Sequence, residues 1–224
     1  MKVASLVTFH YLGGLKKNLR TEIPRKAVYR LSLYFRGLQR LKANGIRTVS
    51  SEALARAAGV KPTQLRKDLT YFGQFGTRGL GYDVGELAEM ISDLLGTTSL
   101  RPVILVGVGN LGLALLSYRG FEKEGFEIIA AFDLEPGRKR GKNIPMPIYG
   151  MDQLASVIRE KNVKMAIITI PASAAQEVTN TLVQGGITGL LNFAPLVLDV
   201  PEQVVVNNVN LAIELENLSY FVQR

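Results

Sequence analysis

The chain has 224 residues, enough for one or two domains with real cores, and its 47% hydrophobic and 21% charged residues exclude a disordered, collagenous or disulfide-stapled molecule. It has no Cys and a single His, His10, which removes thiol catalysis, thiolate metal sites and iron–sulfur clusters and leaves almost nothing for a histidine base or ligand. The net charge of +8 is uneven: residues 1–22 carry +3, residues 23–97 carry +6 and residues 98–224 carry −1, so the N-terminal third points to a polyanionic partner.

Residues 1–22 form an N-terminal extension to which no role is assigned. Its first fifteen residues are fairly apolar, but Lys16, Lys17 and Arg20 follow them without a small-residue cleavage site, so a signal peptide is not expected. No apolar run reaches the roughly 18 residues of a membrane span, and the lack of Cys suits a reducing cytoplasm.

From residue 23 to 97 the pattern is helical. Leu31, Tyr34, Leu38 and Leu41 fall at i, i+3, i+7 and i+10, one buried stripe ending near Gly45. Ser50 or Ser51 caps a second short helix, Glu52–Ala58, closed by Gly59. Pro62 opens a third, running to about Phe72. On it Leu65, Leu69 and Phe72 share one face, while Lys67 and Thr70, flanked by Gln64, Arg66 and Tyr71, face outward. An outward set of this kind bonds phosphates and base edges when a recognition helix enters the major groove. Ser51, Lys61 and Thr63 complete the candidate DNA-contacting residues on the helices. The Gly-rich stretch from Gly73 to Gly81 has the residues for a tight hairpin, and Arg78 at its tip suits a wing in the minor groove. Asp83–Leu95 reads as helix again.

The short polar stretch Gly96-Thr97-Thr98-Ser99 marks the domain break. Beyond it, the strand-like runs Val103–Val106, Ile128–Phe132, Met165–Ile170 and Leu190–Phe193 alternate with the helix-like Leu111–Tyr118, Met151–Lys161 and Ala174–Gly185. Val204–Val206 is a candidate further strand. Continuous apolar strands are buried on both faces, so residues 98–206 are expected to form a parallel, doubly wound α/β sheet. In residues 207–224, Leu211, Leu215, Leu218 and Val222 share a heptad-like seam expected to pack on something outside its own sheet.

Between the first of these strands and its helix stands Gly107-Val108-Gly109-Asn110-Leu111-Gly112, a GxGxxG in the context the motif requires. Gly107 permits a tight turn, Gly109 lets backbone approach a pyrophosphate, and Gly112 allows close helix–strand packing. Asp133 ends the second strand 21 residues later, where a carboxylate accepts ribose hydroxyls and repels a 2′-phosphate, so NAD(H) is favoured over NADP(H). Arg138, Lys139 and Arg140 stand either to meet a 2′-phosphate or as a solvated face. Ile170-Pro171-Ala172 and Asn192-Phe193-Ala194-Pro195 follow later strands and are read either as crevice lining or as plain turns. A dehydrogenase also needs an acid or base near the carbonyl. The downstream half has no His and no Tyr-x-x-x-Lys pairing, so the cofactor is expected to act as a ligand rather than a co-substrate.

Val49-Ser50-Ser51-Glu52, Gln64–Leu69, Tyr71-Phe72-Gly73, Gly79-Leu80-Gly81-Tyr82, Gly107–Gly112 and Leu191-Asn192-Phe193-Ala194-Pro195 together resemble the Rex family of bacterial redox-sensing repressors, from about Ile23 to the C-terminus. The resemblance implies a homodimer whose N-terminal winged helix reads a palindromic operator. It implies a Rossmann-like domain sensing the NADH/NAD+ ratio, with NADH releasing DNA, and a last helix exchanged between subunits. It also implies that Tyr118 lies near the nicotinamide. Asn210 stands where the family commonly has an acid. Two other readings remain open: an NAD-dependent oxidoreductase with a basic accessory domain, which lacks an identifiable acid/base, and a subunit like the α chain of an acyl-CoA ligase, which lacks the phosphorylatable His.

Overall fold

The computed structural model describes residues 23–76, 79–139 and 144–222; the expectations for His10, Arg78, Arg140 and the extension 1–22 lie outside the described residues. The chain divides into two compact units, Met1–Thr98 and Ser99–Arg224.

In the first unit, α1 (Arg25–Ala43) buries Ala27, Leu31, Tyr34, Gly37 and Leu38, the inward stripe of an amphipathic helix. The strand β1 (Thr48–Val49) leads into α2 (Ser51–Ala57), where Ser50 is the cap: its Oγ accepts the Ala53 amide at 3.1 Å. The next helix, α3 (Pro62–Thr70), starts with Pro in its first turn, where a missing N–H costs nothing. Leu54, Leu65 and Ile91 close the core with the α1 stripe. Asp83 caps α4 (Val84–Leu95), accepting the Glu86 amide at 2.9 Å, and Gly96 ends the helix in the left-handed region.

The Gly-rich stretch is expected as a hairpin, and its tip, residues 77–78, lies outside the described residues. Residues 73–76 and 79–80 are loop, bend and turn, Gly81 forms a single β-bridge, and the two-residue strand after it, β2 (Tyr82–Asp83), pairs antiparallel with β1 in the register Thr48↔Asp83 and Val49↔Tyr82.

In the second unit, β3 (Arg101–Val106), β4 (Phe126–Phe132), β5 (Ile148–Tyr149), β6 (Met165–Ile168), β7 (Gly189–Asn192) and β8 (Val205–Asn208) form one sheet in the order β5-β4-β3-β6-β7-β8. Every pairing is parallel. Counted within the unit this is the order 3-2-1-4-5-6 of the Rossmann-like doubly wound fold. Alternate residues serve opposite faces: Ile104, Val106, Phe132 and Ile168 join one core cluster, while Leu105, Ala131 and Ile167 join the other. That double burial is why the strands read as unbroken apolar runs.

The helices α5 (Asn110–Leu116), α6 (Gly120–Lys123), α7 (Leu154–Glu160) and α8 (Ala172–Gly185) connect the strands. The strand expected to reach Ile170 stops at Ile168, since Pro171 cannot donate to a ladder and stands at the start of α8. The terminal helix α9 (Leu211–Val222) has no buried residue. Asn210 caps it, its Oδ1 accepting the Ala212 and Ile213 amides at 3.0 and 3.3 Å. A carboxylate would cap equally well, so the Asn preserves the helix start while omitting the charge.

Candidate functional site

The sheet order reverses between β3 and β6, so their carboxyl ends frame the crevice in which such sheets bind ligands. The glycine loop enters it from β3. Gly107 has φ +100°, and a Cβ there would stand 2.6 Å from Ile170 Cγ2 and 2.8 Å from the Thr169 carbonyl oxygen. Only glycine fits. A Cβ on Gly112 would collide with the Gly107 carbonyl, so α5 meets the strand end at backbone distance. Around Gly109 nothing lies within 4 Å of the Cβ position, leaving open space over the backbone.

Thr169, which the sequence reading passed over, clamps this turn. Its Oγ1 donates its one proton between the carbonyls of Gly107, at 2.7 Å, and Val106, at 3.1 Å. Nothing in a lone Thr after a strand signals such a role. Asp133 braces the other side: Oδ2 accepts the Val108 amide at 2.7 Å and Oδ1 the Glu135 amide at 2.9 Å. The Val108 side chain is buried, whereas Asn110 and Leu111 are exposed on the first turn of α5. Tyr118 is exposed; its ring lies over the Gly120 backbone and meets Phe121 edge to face at 5.1 Å.

The later loops divide by role. Ile170 packs against the glycine turn, and Pro171 and Ala172 open α8. The Asn192 side chain is fully buried. Its amide reaches the carbonyls of Ala194 and Leu196 and Asn208 Oδ1, at 3.2, 3.0 and 2.9 Å, and its Oδ1 accepts the Ala194 amide at 2.9 Å. Through these bonds Asn192, read from the sequence as crevice lining or a plain turn, latches the loop carrying Phe193 to β8.

In the first unit, α3 presents Lys61, Thr63, Arg66, Lys67 and Thr70 to solvent, while Tyr71 is half-buried at its end. The Thr70 hydroxyl donates to the Lys67 carbonyl at 2.6 Å. The inward face holds a surprise: Asp68 is fully buried beside Leu65 and Leu69. It accepts from Arg30 Nε and Nη2 at 2.5 and 2.8 Å, from the Tyr34 phenol at 2.6 Å and from Gln64 Nε2 at 2.8 Å. Burial works to raise the Asp68 carboxyl, but those hydrogen bonds and the Arg30 charge outweigh it and hold the group below the usual carboxylate range. Burial, reinforced by Asp68, pushes the Tyr34 phenol above its ordinary value. Gln64, expected on the outward face, is thus turned toward Asp68. The helical period already placed residue 68 three after Leu65, but its charge disguised an inward position.

Two candidates on different helices are brought together. Arg66 Nη1 donates to Ser51 Oγ at 2.8 Å and to Glu52 Oε1 at 3.1 Å, along one wall of an open cleft of about 500 Å3 between α2, α3 and the Gly-rich loop. The backbone and Ser51 hydrogen bonds hold the Glu52 carboxyl below its ordinary value. Among the described residues no His, Asp or Glu cluster could hold a metal ion, and no helix is long and apolar enough to cross a membrane.

Residues 98–196 match the family profile described as "CoA binding domain", and residues 22–70 match "Putative DNA-binding protein N-terminus". The chain is 48% identical over 202 residues to the redox-sensing transcriptional repressor Rex of Streptomyces coelicolor, covering 90% of this chain and 78% of that protein. It is 44% identical over 199 residues to Rex of Pelotomaculum thermopropionicum, covering 89% and 93%. A crystal structure of RSP with β-NAD+ and operator DNA superposes with a TM-score of 0.82 at 35% identity, covering 89% of this chain and 92% of that one. RSP with β-NADH gives 0.78 at 33% identity, covering 91% and 95%.

Proposed function

The chain belongs to the Rex family of redox-sensing transcriptional repressors, and from that premise we propose that it is a DNA-binding repressor that senses the NADH/NAD+ ratio, NADH releasing it from a palindromic operator. One observation carries the reading: a single chain joins an outward, basic α3 to a doubly wound sheet whose glycine turn is braced by an acid at the end of β4.

The crevice fits the dinucleotide. Open space over Gly109 admits a pyrophosphate against backbone, Asp133 stands just past β4 where an acid meets the adenosine ribose, and exposed Tyr118 is the residue assigned to the nicotinamide end. When bound, the nicotinamide supplies a redox state and a charge that differ between NAD+ and NADH. Thr169 and Asp133 fix the turn that receives it, Ile170, Pro171 and Ala172 line the opposite strand end, and Asn192 sets the loop bearing Phe193. The cofactor is a ligand here, and the chain is a regulator rather than a catalyst, acting in the cytoplasm where its DNA lies.

On the DNA side, Lys61, Thr63, Arg66, Lys67 and Thr70 face the duplex, with Ser51 and Tyr71 at the flanks. The subunit works as a homodimer, the exposed seam Leu211, Leu215, Leu218 and Val222 of α9 packing on the partner. Coupling requires that NADH bind the DNA-free conformation more tightly than the DNA-bound one. The test is duplex binding titrated with NADH and with NAD+ at fixed salt. NADH is expected to weaken binding about a hundredfold, which needs about 2.7 kcal/mol of coupling, and NAD+ to do so far less. Operator affinity unchanged at saturating NADH refutes the sensor.

A further inference from the structure

We propose that Glu52 is a specificity-determining positioning residue, which with Ser51 aims the Arg66 guanidinium at a guanine edge in the major groove; this rests on the DNA-reading function above. The guanidinium carries five N–H donors in a rigid plane. Nη1 is taken by Ser51 Oγ and Glu52 Oε1. That leaves the Nε–H and the Nη2 protons, which run along one edge of the plane in the two-pronged geometry that meets O6 and N7 of guanine.

The alternative state of an exposed arginine is a mobile point charge. Free to swing, it serves any phosphate, and phosphate contacts carry no sequence information. Two features argue that Arg66 is not left in that state. Its anchors come from α2, a different helix, so the fork is set against both helices of the DNA-reading pair and not against its own backbone. The anchoring group is a charged carboxylate, so it also offsets the Arg66 charge and weakens its pull toward phosphates in general. A hydroxyl alone would orient without that second effect. Glu52 thereby lowers affinity for arbitrary duplex while raising it for the right one, the two contributions from which discrimination is built.

Wild-type protein is used to select duplexes from a randomised pool. Affinities for a selected duplex and for a scrambled duplex of the same composition are then measured at several salt concentrations. Glu52→Gln is expected to bind the scrambled duplex about threefold tighter and the selected duplex about fivefold more weakly, so that discrimination falls by more than tenfold. Ser51→Ala, which removes the other anchor, shifts the ratio in the same direction. Arg66→Ala lowers discrimination comparably, and adding Glu52→Gln to it changes the ratio no further. The proposal is overturned if Glu52→Gln moves both affinities by one common factor, or if its effect persists undiminished without Arg66. If wild-type protein selects no duplex at all, the failure lies with the DNA-reading function itself. Both side chains are largely exposed, so folding is not at stake.

Discussion

Tyr34 donates its phenol proton to Asp68 Oδ2 at 2.6 Å, so the inward stripe of α1 and the buried face of α3 meet through one carboxylate. Arg30 and Gln64 complete its coordination. The orientation of the outward residues of α3 is thus set from beneath by a saturated polar cluster rather than by apolar packing alone.

Asp68→Asn leaves Arg30 facing a neutral amide with mismatched donors. Removing one partner of a buried ion pair costs about 3–5 kcal/mol, and urea unfolding of the N-terminal unit should register a loss of that order. Tyr34→Phe, which takes away one donor, should cost about 1–2 kcal/mol.

The same cluster fixes a pH profile. The Asp68 carboxyl is lowered from its ordinary 3.8, so its stabilisation is complete above that value and is lost as pH falls through the lower folded value. The Tyr34 phenol is raised from 10.0, so its contribution is complete below that value and is lost as pH rises through the higher folded one. Urea midpoints of the unit should show a plateau with an acid limb that Asp68→Asn flattens and an alkaline limb that Tyr34→Phe flattens.

In the second unit, Gly107→Ala places a Cβ at φ +100° against Ile170 and Thr169. A loss of about 2–4 kcal/mol follows from strain and overpacking together. Thr169→Val keeps the shape and removes only the hydroxyl bonds to Val106 and Gly107, costing about 1 kcal/mol. Denaturant unfolding separates the two, and NADH affinity should fall in both.

Asp133→Asn keeps an acceptor for the Val108 amide but removes the charge that repels a 2′-phosphate. The preference for NADH over NADPH should shrink by about tenfold, read from paired titrations. Equal affinities in the wild type would mean that the basic run at Arg138 and Lys139 governs the choice.

Lys67→Ala removes one exposed cation from the outward face of α3. If its ammonium meets a phosphate, the slope of log affinity against log salt falls by about one unit and all sequences weaken alike. A change confined to one base position would make Lys67 a reader instead.

Periodicity made much of this architecture legible. The α1 stripe from Leu31 to Leu38, Pro62 at the head of α3 and the apolar strands of the second unit are local patterns that map directly onto buried faces. Strand β5 and helix α6, two and four residues long, fall below the length at which a period can be seen. Polar residues were the harder class. Asp68 and Asn192 carry groups suited equally to solvent, ligand or an internal partner; Arg30 and Asn208, 38 and 16 residues away, decide which, and Gln64 then follows Asp68 one turn along α3. Thr169 belongs with them: its partners lie 62 and 63 residues upstream.

In the proposed homodimer, the exposure of α9 on each chain turns dilution into a denaturant. Leu211, Leu215, Leu218, Phe221 and Val222 are all more than half exposed on a helix of twelve residues, close to the length at which helices in water are marginal. Once a second copy covers those side chains, helicity at the C-terminus follows protein concentration by mass action, as does the stability of the assembly. In that homodimer a newly made chain reaches its finished state only after meeting a second, so the last step of folding is bimolecular, and the repressor's dose sets how much of it is complete.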